Sequence, residues 1–459
     1  MNQQLPPFRH PSFHGRIGVA REDITPPAGI YSRNWGAAQH DIADGVHRPL
    51  TLTALTLQSG PDQPPLVLMT ADLGWWQDFQ EEKTFRQRIG RGLGVDEARL
   101  IFSLSHTHAG PSICSGDAKK TGGALIEPYV RAVADRAVAA GRAALEGAAS
   151  ATLSFAIGRC ALATTRDLPD PDRPRVVCGF DPNTPADDTV LVGRVTDARG
   201  GVLATLVNYA CHPTTLAWDN HLISPDYVGA MRETIEAETS APCLFFQGAS
   251  GELSPREQYV GDAAIADRHG RQLGFAALSV LSGMLPGGKQ LRYAGVVESG
   301  APLATWLLGD DSASSALAAS IIRVPLPIKP GLPSLADIDR QLAEKSTDRV
   351  LAERLQRSRR RRTGVGDGPT CEIAAWIWRV GDALVVAQGN EAYSLLQRSL
   401  RQKFPQAPVL VMNIANGGCG YLPPRELYQK DVYQVWQTPF APGALEQLIS
   451  SAESALRTI

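Results

Sequence analysis

The sequence predicts an α/β fold built as one continuous body. Apolar strand-like runs alternate with amphipathic helix-like segments along nearly the whole chain. The same alternation resumes after the one stretch of altered composition, between about 310 and 367. A chain of 459 residues can bury a large core without disulfides. Hydrophobic residues are 43% and charged residues 20%, a mix that excludes wholesale disorder. With 45 Lys+Arg against 47 Asp+Glu the net charge is −2, so nothing points to nucleic acid or an anionic membrane surface.

The elements follow in order. Residues 1–15 are polar, with prolines and histidines and no apolar core of a signal peptide, and read as a tail. Residues 66–71 form a buried strand ending at Asp72, and 100–104 a second strand running into Ser105-His106-Thr107-His108. The alanine-rich stretch 127–145 is a helix. Residues 191–195 and 203–209 pair as strands around Arg199-Gly200-Gly201, and 243–247 is a short buried strand. A helix spans 262–281. The stretch 310–367 carries Pro325, Pro327, Pro330 and Pro333, then a charged helical segment, and reads as an insertion or cover on the domain 16–459. Strands at 374–380 and 383–387, a helix at 392–403 and a strand at 409–413 complete the pattern. Seven cysteines, an odd number with no CxxC pair, argue against a disulfide framework. They fit a reducing, cytoplasmic setting. No run of about 18 apolar residues suggests a membrane span.

The chemistry gathers where strands end. His106 and His108 stand at i, i+2 past a strand; continued extension puts both rings on one face. Such a pair suits a divalent metal, or one ligand and one acid/base group, but taken alone HxH is a weak signal and a plain surface pair is the commoner reading. His212 precedes Pro213 at another strand exit, where the turn is rigid. Glu391 and Tyr421 stand after the strands at 383–387 and 409–413. In open α/β sheets ligands bind at the carboxyl ends of strands. Other templates fail: Gly248-Ala249-Ser250-Gly251 lacks the nucleophile-elbow spacing, and neither HExxH nor a Walker A sequence occurs. Trp75-Trp76 reads as a core corner or a substrate wall. The arginine-rich run at 357–362 reads as a solvated helix end, or else as a phosphate- or RNA-binding patch.

Ser105-His106-Thr107-His108-Ala109-Gly110-Pro111 resembles the THTHSGP motif of the neutral (non-lysosomal) ceramidase family. Further segments follow in the family's order. Asp23-Ile24-Thr25-Pro26 is similar to its opening strand, Gly45-Val46-His47 to its GIH segment, and Ala71-Asp72 to its strand-end pair. The segment 208–215 resembles NW-x-x-HPTS, 223–229 resembles ISGD-x-x-G, and 247–255 resembles Q-x-N-x-GD-x-SP with Glu252 in place of Asp. Gly389-Asn390-Glu391 is similar to the PGE turn, and 421–428 to YVTTPEEY.

The resemblance implies two mixed β-sheets packed together with flanking helices, a catalytic domain without the family's C-terminal sandwich domain. It implies Zn²⁺ held by His106, His212, Glu391 and Tyr421, with His108, Arg166 and Tyr433 at the reaction centre. Metal-bound hydroxide would attack an acyl carbonyl, His108 would move the proton, and Tyr433 and Arg166 would donate to the oxyanion. Asp72 and Asp226 are either acceptors for ligand imidazoles or turn and cap residues. The expected activity is zinc-dependent hydrolysis of an N-acyl amide, ceramide-like in its bond, on a small molecule with an acyl carbonyl. The alternative is a metal-dependent hydrolase or lyase acting on a small polar or carbohydrate-like ester, lactone or glycoside. A homo-oligomer is compatible with either.

Overall fold

The computed structural model describes residues 5–345, 348–418 and 420–459; Cys419 lies outside them. The larger sheet holds β1 (Ser12–Asp23), β2 (Thr51–Gln58), β3 (Leu66–Ala71), β4 (Leu100–Leu104), β5 (Ala149–Arg159), β6 (Thr189–Asp197), β7 (Val202–Tyr209) and β8 (Cys243–Gln247). Their order across the sheet is β8-β7-β6-β5-β1-β2-β3-β4. The outermost pairings, β8 on β7 and β4 on β3, are parallel, and those between are antiparallel. The smaller sheet runs β9 (Leu317–Pro327), β10 (Thr370–Val380), β11 (Ala383–Gln388), β12 (Val409–Met412) in that order. Only β11 and β12 pair in parallel.

The two mixed sheets pack face to face, as the resemblance implies. Side chains alternate across each strand and so serve two cores. Leu66 and Leu68 of β3 point between the sheets, while Val67, Met69 and Ala71 point to the helices. Both faces are therefore buried, which is why this strand reads as one apolar run. Trp376 and Trp378 of β10 fill the space between the sheets. Their indole N–H groups donate to Glu97 O and Ala98 O at 2.9 and 2.6 Å. Helices α1 (Phe79–Leu93) and α2 (Ile126–Glu146) cover one half of the larger sheet's outer face, and α3 (Tyr227–Thr239) and α4 (Ala263–Ser282) the other. Helix α5 (Leu335–Glu344) packs beside α6 (Arg349–Val365). Helices α7 (Leu395–Lys403) and α9 (Ala444–Leu456) cover the smaller sheet, and the short α8 (Tyr433–Gln437) lies before α9. Among the described residues no helix is long and apolar enough to cross a membrane.

Three expected boundaries move. The break at residue 15 falls inside β1: Phe13 is fully buried and pairs with Leu153, so these residues are sheet, not tail. The polar letters around Phe13 hid it, although Ser12 beside it is buried as well. The stretch 310–367 is only partly a cover, since β9 within it pairs along its length with β10 and its Val324 and Leu326 are buried. The cover proper is α5 and α6. Helix α7 begins at Leu395 rather than 392, because Glu391-Ala392 pair in parallel with Tyr421-Leu422.

At one edge the sheets are stitched together. The segment after β12 crosses to the larger sheet, where Leu104 N donates to Ile414 O and Asn413 N to Gln247 O. Asn416 accepts from Phe102 N and donates to Leu100 O through its side chain. This brings the carboxyl ends of β4, β7, β8, β11 and β12 to one place.

Replacing Phe13 by alanine should destabilise the protein by about 3–5 kcal/mol, the usual cost of an emptied aromatic core position. Urea unfolding measures it; a loss under 1 kcal/mol would mean that the amino-terminal strand is dispensable.

Candidate active site

His106 leaves β4 by a left-handed residue, at φ 69°. Strand geometry thus ends at Leu104, and it is not extension that brings the two histidines together. A non-glycine residue held there costs about 1–3 kcal/mol and persists where its surroundings over-determine it. The backbone N–H of His106 is held by Leu73 O at 2.9 Å. Its Nδ1 lies 3.1 Å from Gly74 O. A carbonyl only accepts, so Nδ1 carries the hydrogen and Nε2 presents a lone pair. His212 is fixed the same way, with Nδ1 2.7 Å from Ser250 O. Burial, with Arg166 beside it, pushes the His212 ring down to about 3, so it is neutral at neutral pH.

Both lone pairs face Glu391. Its Oε2 is 2.9 Å from His212 Nε2 and 3.4 Å from His106 Nε2. His106 Nε2 is buried and makes no hydrogen bond. Tyr421 stands directly beside Glu391 in the parallel pairing of their two short strands. The two loops touch backbone to backbone: a Cβ on Gly389 would lie 2.3 Å from the Gly417 carbonyl carbon, so only glycine fits there. Arg166 is buried behind this set. Its Nη2 donates to Gly251 O at 2.8 Å and to the Tyr421 hydroxyl at 3.1 Å.

His108 lies across the cavity. Its ring centroid is 4.9 Å from that of His106, and its Nε2 is buried without a hydrogen bond. The ring packs against Trp75 at 4.7 Å and Trp35 at 5.2 Å. Burial, reinforced by His106 and His212, holds it well below the usual histidine range. One ring nitrogen from each of His106, His108 and His212 lies within 4.8 Å of the others, a grouping that could hold a metal ion. Tyr433, the first residue of α8, sits with its ring 5.8 Å from that of Tyr421.

These groups open onto a cleft of about 90 Å³ lined by Trp75, His106, His108, Glu391, Tyr421 and Tyr433. Trp75 is thus a wall of the site, and Trp76 joins the same lining while packing on Phe85 in the core. The seven residues singled out from the sequence come together, with Arg166 behind Tyr421 rather than on the cleft. Asp72 and Asp226 do not touch the imidazoles. Asp72 accepts from Thr51 and pairs with Arg232, and Asp226 caps α3 and accepts from Leu216 N. The acceptors for the imidazoles are main-chain carbonyls, which leave no trace in residue identity.

The arginine run also departs from expectation. Positions 357, 360 and 361 share one helix face at i, i+3 and i+4, and all three line the cleft. Arg359 and Arg362 lie on the outer side, paired with Asp339 and Asp367. The apolar residues that normally reveal an inward face are absent, so the sequence alone reads as a solvated helix.

Glu252 takes the hydrogen bonds of Ser394 N and Oγ in a partly buried position, and burial still pushes it up to about 7. The folded protein therefore keeps a proton that the unfolded chain, with the ordinary value of 4.5, has released. Its contribution to stability is complete below about 4.5 and is lost as pH rises to about 7. Relative to wild type, Glu252→Gln should gain melting temperature progressively from pH 4.5 to 7; parallel melting profiles for the two proteins would show that Glu252 is ionised throughout.

No protein-family model matches the chain. It is similar to the neutral ceramidase of Pseudomonas aeruginosa, 26% identical over 264 residues, covering 54% of this chain and 38% of that one. That match spans little more than a third of the relative's length. In fold it resembles the crystal structure of neutral ceramidase from Pseudomonas aeruginosa, with a TM-score of 0.66 at 17% identity, over 98% of this chain and 75% of that one. A ceramidase complexed with C2 gives a TM-score of 0.67 at 17% identity, covering 98% and 76%. By sequence and by fold, the chain is neutral ceramidase-like.

Proposed function

We propose that the chain is a zinc-dependent hydrolase that cleaves a carbon–nitrogen amide bond. The observation that carries this is the convergence of three acceptors, His106 Nε2, His212 Nε2 and Glu391 Oε2, with Tyr421 beside them. Each ring already turns its other nitrogen to a main-chain carbonyl, and the two Nε2 atoms and the carboxylate gathered at one point form a set that a cation would complete. Two nitrogens and two oxygens are a donor set that suits zinc. His106, His212, Glu391 and Tyr421 would hold it. A bound zinc ion lowers the pKa of a coordinated water and polarises a carbonyl.

The protein's own groups supply the rest. His108 offers an unpaired buried Nε2 to the cleft, placed to take a proton from water and return it to the leaving nitrogen. A carbon–oxygen bond forms, the carbon–nitrogen bond breaks, and the amine leaves protonated. Tyr433 lines the same cleft, and its hydroxyl would donate to the carbonyl oxygen as it gains charge. Arg166 positions Tyr421 through their 3.1 Å hydrogen bond. The amide class of the bond follows from the likeness to a neutral ceramidase.

Purified protein should contain one zinc per chain by elemental analysis, and His106→Ala with His212→Ala should lose it. His108→Ala should keep the metal and lower kcat on an N-acyl amide by about 10²–10⁴. If His108→Ala releases the metal instead, the ligand set is the three histidines and the proton passes through another group. Tyr433→Phe should lower kcat by about 10²–10³ with KM little changed, as for loss of one oxyanion donor.

A further inference from the structure

One wall of the cleft is cationic, and the chemistry proposed above leaves that wall unused. Helix α6 turns Arg357, Arg360 and Arg361 toward it. Two of the three are neutralised. Arg357 pairs with Glu353 and donates to Asn34 O at 2.6 Å, with its guanidinium 5.6 Å over the Trp75 ring. Arg360 pairs with Asp117 at 2.6 Å and also donates to Gln77. Arg361 is different. Among the described residues its guanidinium makes no hydrogen bond and no ion pair. Its stem passes close to Gly420: a Cβ there, at φ 106°, would lie 3.2 Å from Arg361 Cδ. Arg361 lines the same cleft as Tyr421, His108 and Tyr433.

A guanidinium carries five donors and stays charged, so leaving it enclosed and unpaired is costly. Such a position is favourable when an incoming ligand completes it, and the fork of donors fits a carboxylate or a phosphate. The space beyond agrees. A larger cavity of about 490 Å³ adjoins the cleft through Gln77, Arg357 and Arg360. Its walls include Arg33, Asp41, Lys120 and Arg349. Charged walls suit polar substituents and repel a long alkyl chain.

We propose that Arg361, with Arg357 beside it, binds an oxyanion carried by the substrate, so that the amide cleaved here bears a carboxylate or phosphate close to the scissile bond. The inference rests on the amide-hydrolase reading and narrows it. Three probes share one acyl chain: N-hexanoylglycine, O-phospho-N-hexanoylethanolamine and the neutral N-hexanoylglycinamide. For each, kcat/KM is measured with the zinc-loaded protein, and Kd by quenching of tryptophan fluorescence.

One of the anionic amides should exceed the neutral one by roughly 10- to 100-fold in kcat/KM, the ordinary worth of a charge-assisted hydrogen bond. The larger ratio tells carboxylate from phosphate. In Arg361→Gln the ratio should fall to near one, and Arg361→Lys should restore part of it. Arg359→Gln, on the outer side of the helix, should leave the ratio as it is. Equal kcat/KM for charged and neutral amides in the wild-type protein overturns the inference and leaves the hydrolase reading standing. If no amide is cleaved, the hydrolase reading fails, and binding decides the inference alone. Tighter binding of an anionic probe, weakened by Arg361→Gln, supports it; equal affinities overturn it. The wild-type comparisons need no variant, so misfolding of Arg361→Gln would not rescue a negative result.

Discussion

Electron pairs on His106 Nε2, His212 Nε2 and Glu391 Oε2 point at one another inside the protein, and most of the surrounding architecture serves to keep them so. Each imidazole is locked in tautomer by a backbone carbonyl, Gly74 O for one and Ser250 O for the other. Neither ring can turn away without losing that hydrogen bond and exposing a carbonyl with no partner. The arrangement is pre-organised for a cation, because the cost of assembling it is met during folding rather than on binding.

That cost is met by the way the two sheets join. The crossing of 413–416 onto β4 and β8 hydrogen-bonds the carboxyl edge of the smaller sheet to that of the larger. The buried Asn208 side chain reinforces it, donating to Phe246 O in one sheet and Val411 O in the other at 3.0 and 2.9 Å. His106 and His212 come from the larger sheet, and Glu391 and Tyr421 from loops of the smaller one. A shift of one sheet on the other would part the histidines from the carboxylate. The indoles of Trp376 and Trp378, packed between the sheets and hydrogen-bonded to Glu97 and Ala98, oppose such a shift.

Much of this was legible because strands buried on both faces read as continuous apolar runs, and chemistry-bearing residues follow them directly. His106, His212 and Glu391 were found by that rule, and the resemblance to the ceramidase motifs supplied Arg166 and Tyr433. What escaped was carried by the backbone or by context. The left-handed turn at His106 has no residue signature, since histidine is an ordinary residue for a strand exit. The carbonyls that orient the imidazoles have none either, so Asp72 and Asp226 attracted a role that their ion pair and cap preclude. The first strand was missed because only Phe13 among its early residues is large and apolar. The arginine helix was misread because burial was inferred from hydrophobicity, and its inward face is made of guanidinium groups.

That inward face differs from the deep part of the cleft in what it is built from. His106, His212, Glu391, Arg166 and the paired loops lie deep, at the junction of the sheets, where a substitution disturbs several hydrogen bonds at once. Helix α6 lies over the cleft and reaches it with long side chains from outside the junction. Of these, Arg361 reaches the cleft with no ion pair among the described residues, so its charge can vary at little cost to folding, whereas Arg360 answers the buried Asp117. Guanidinium groups there raise the positive potential of a cleft whose Glu391 and Tyr421 are already committed inward. A neutral alkyl group gains nothing from that potential, whereas an anionic substituent gains both attraction and orientation. In the proposed reading, the deep residues determine that a bond is cleaved, and the overlying helix determines which molecule presents it.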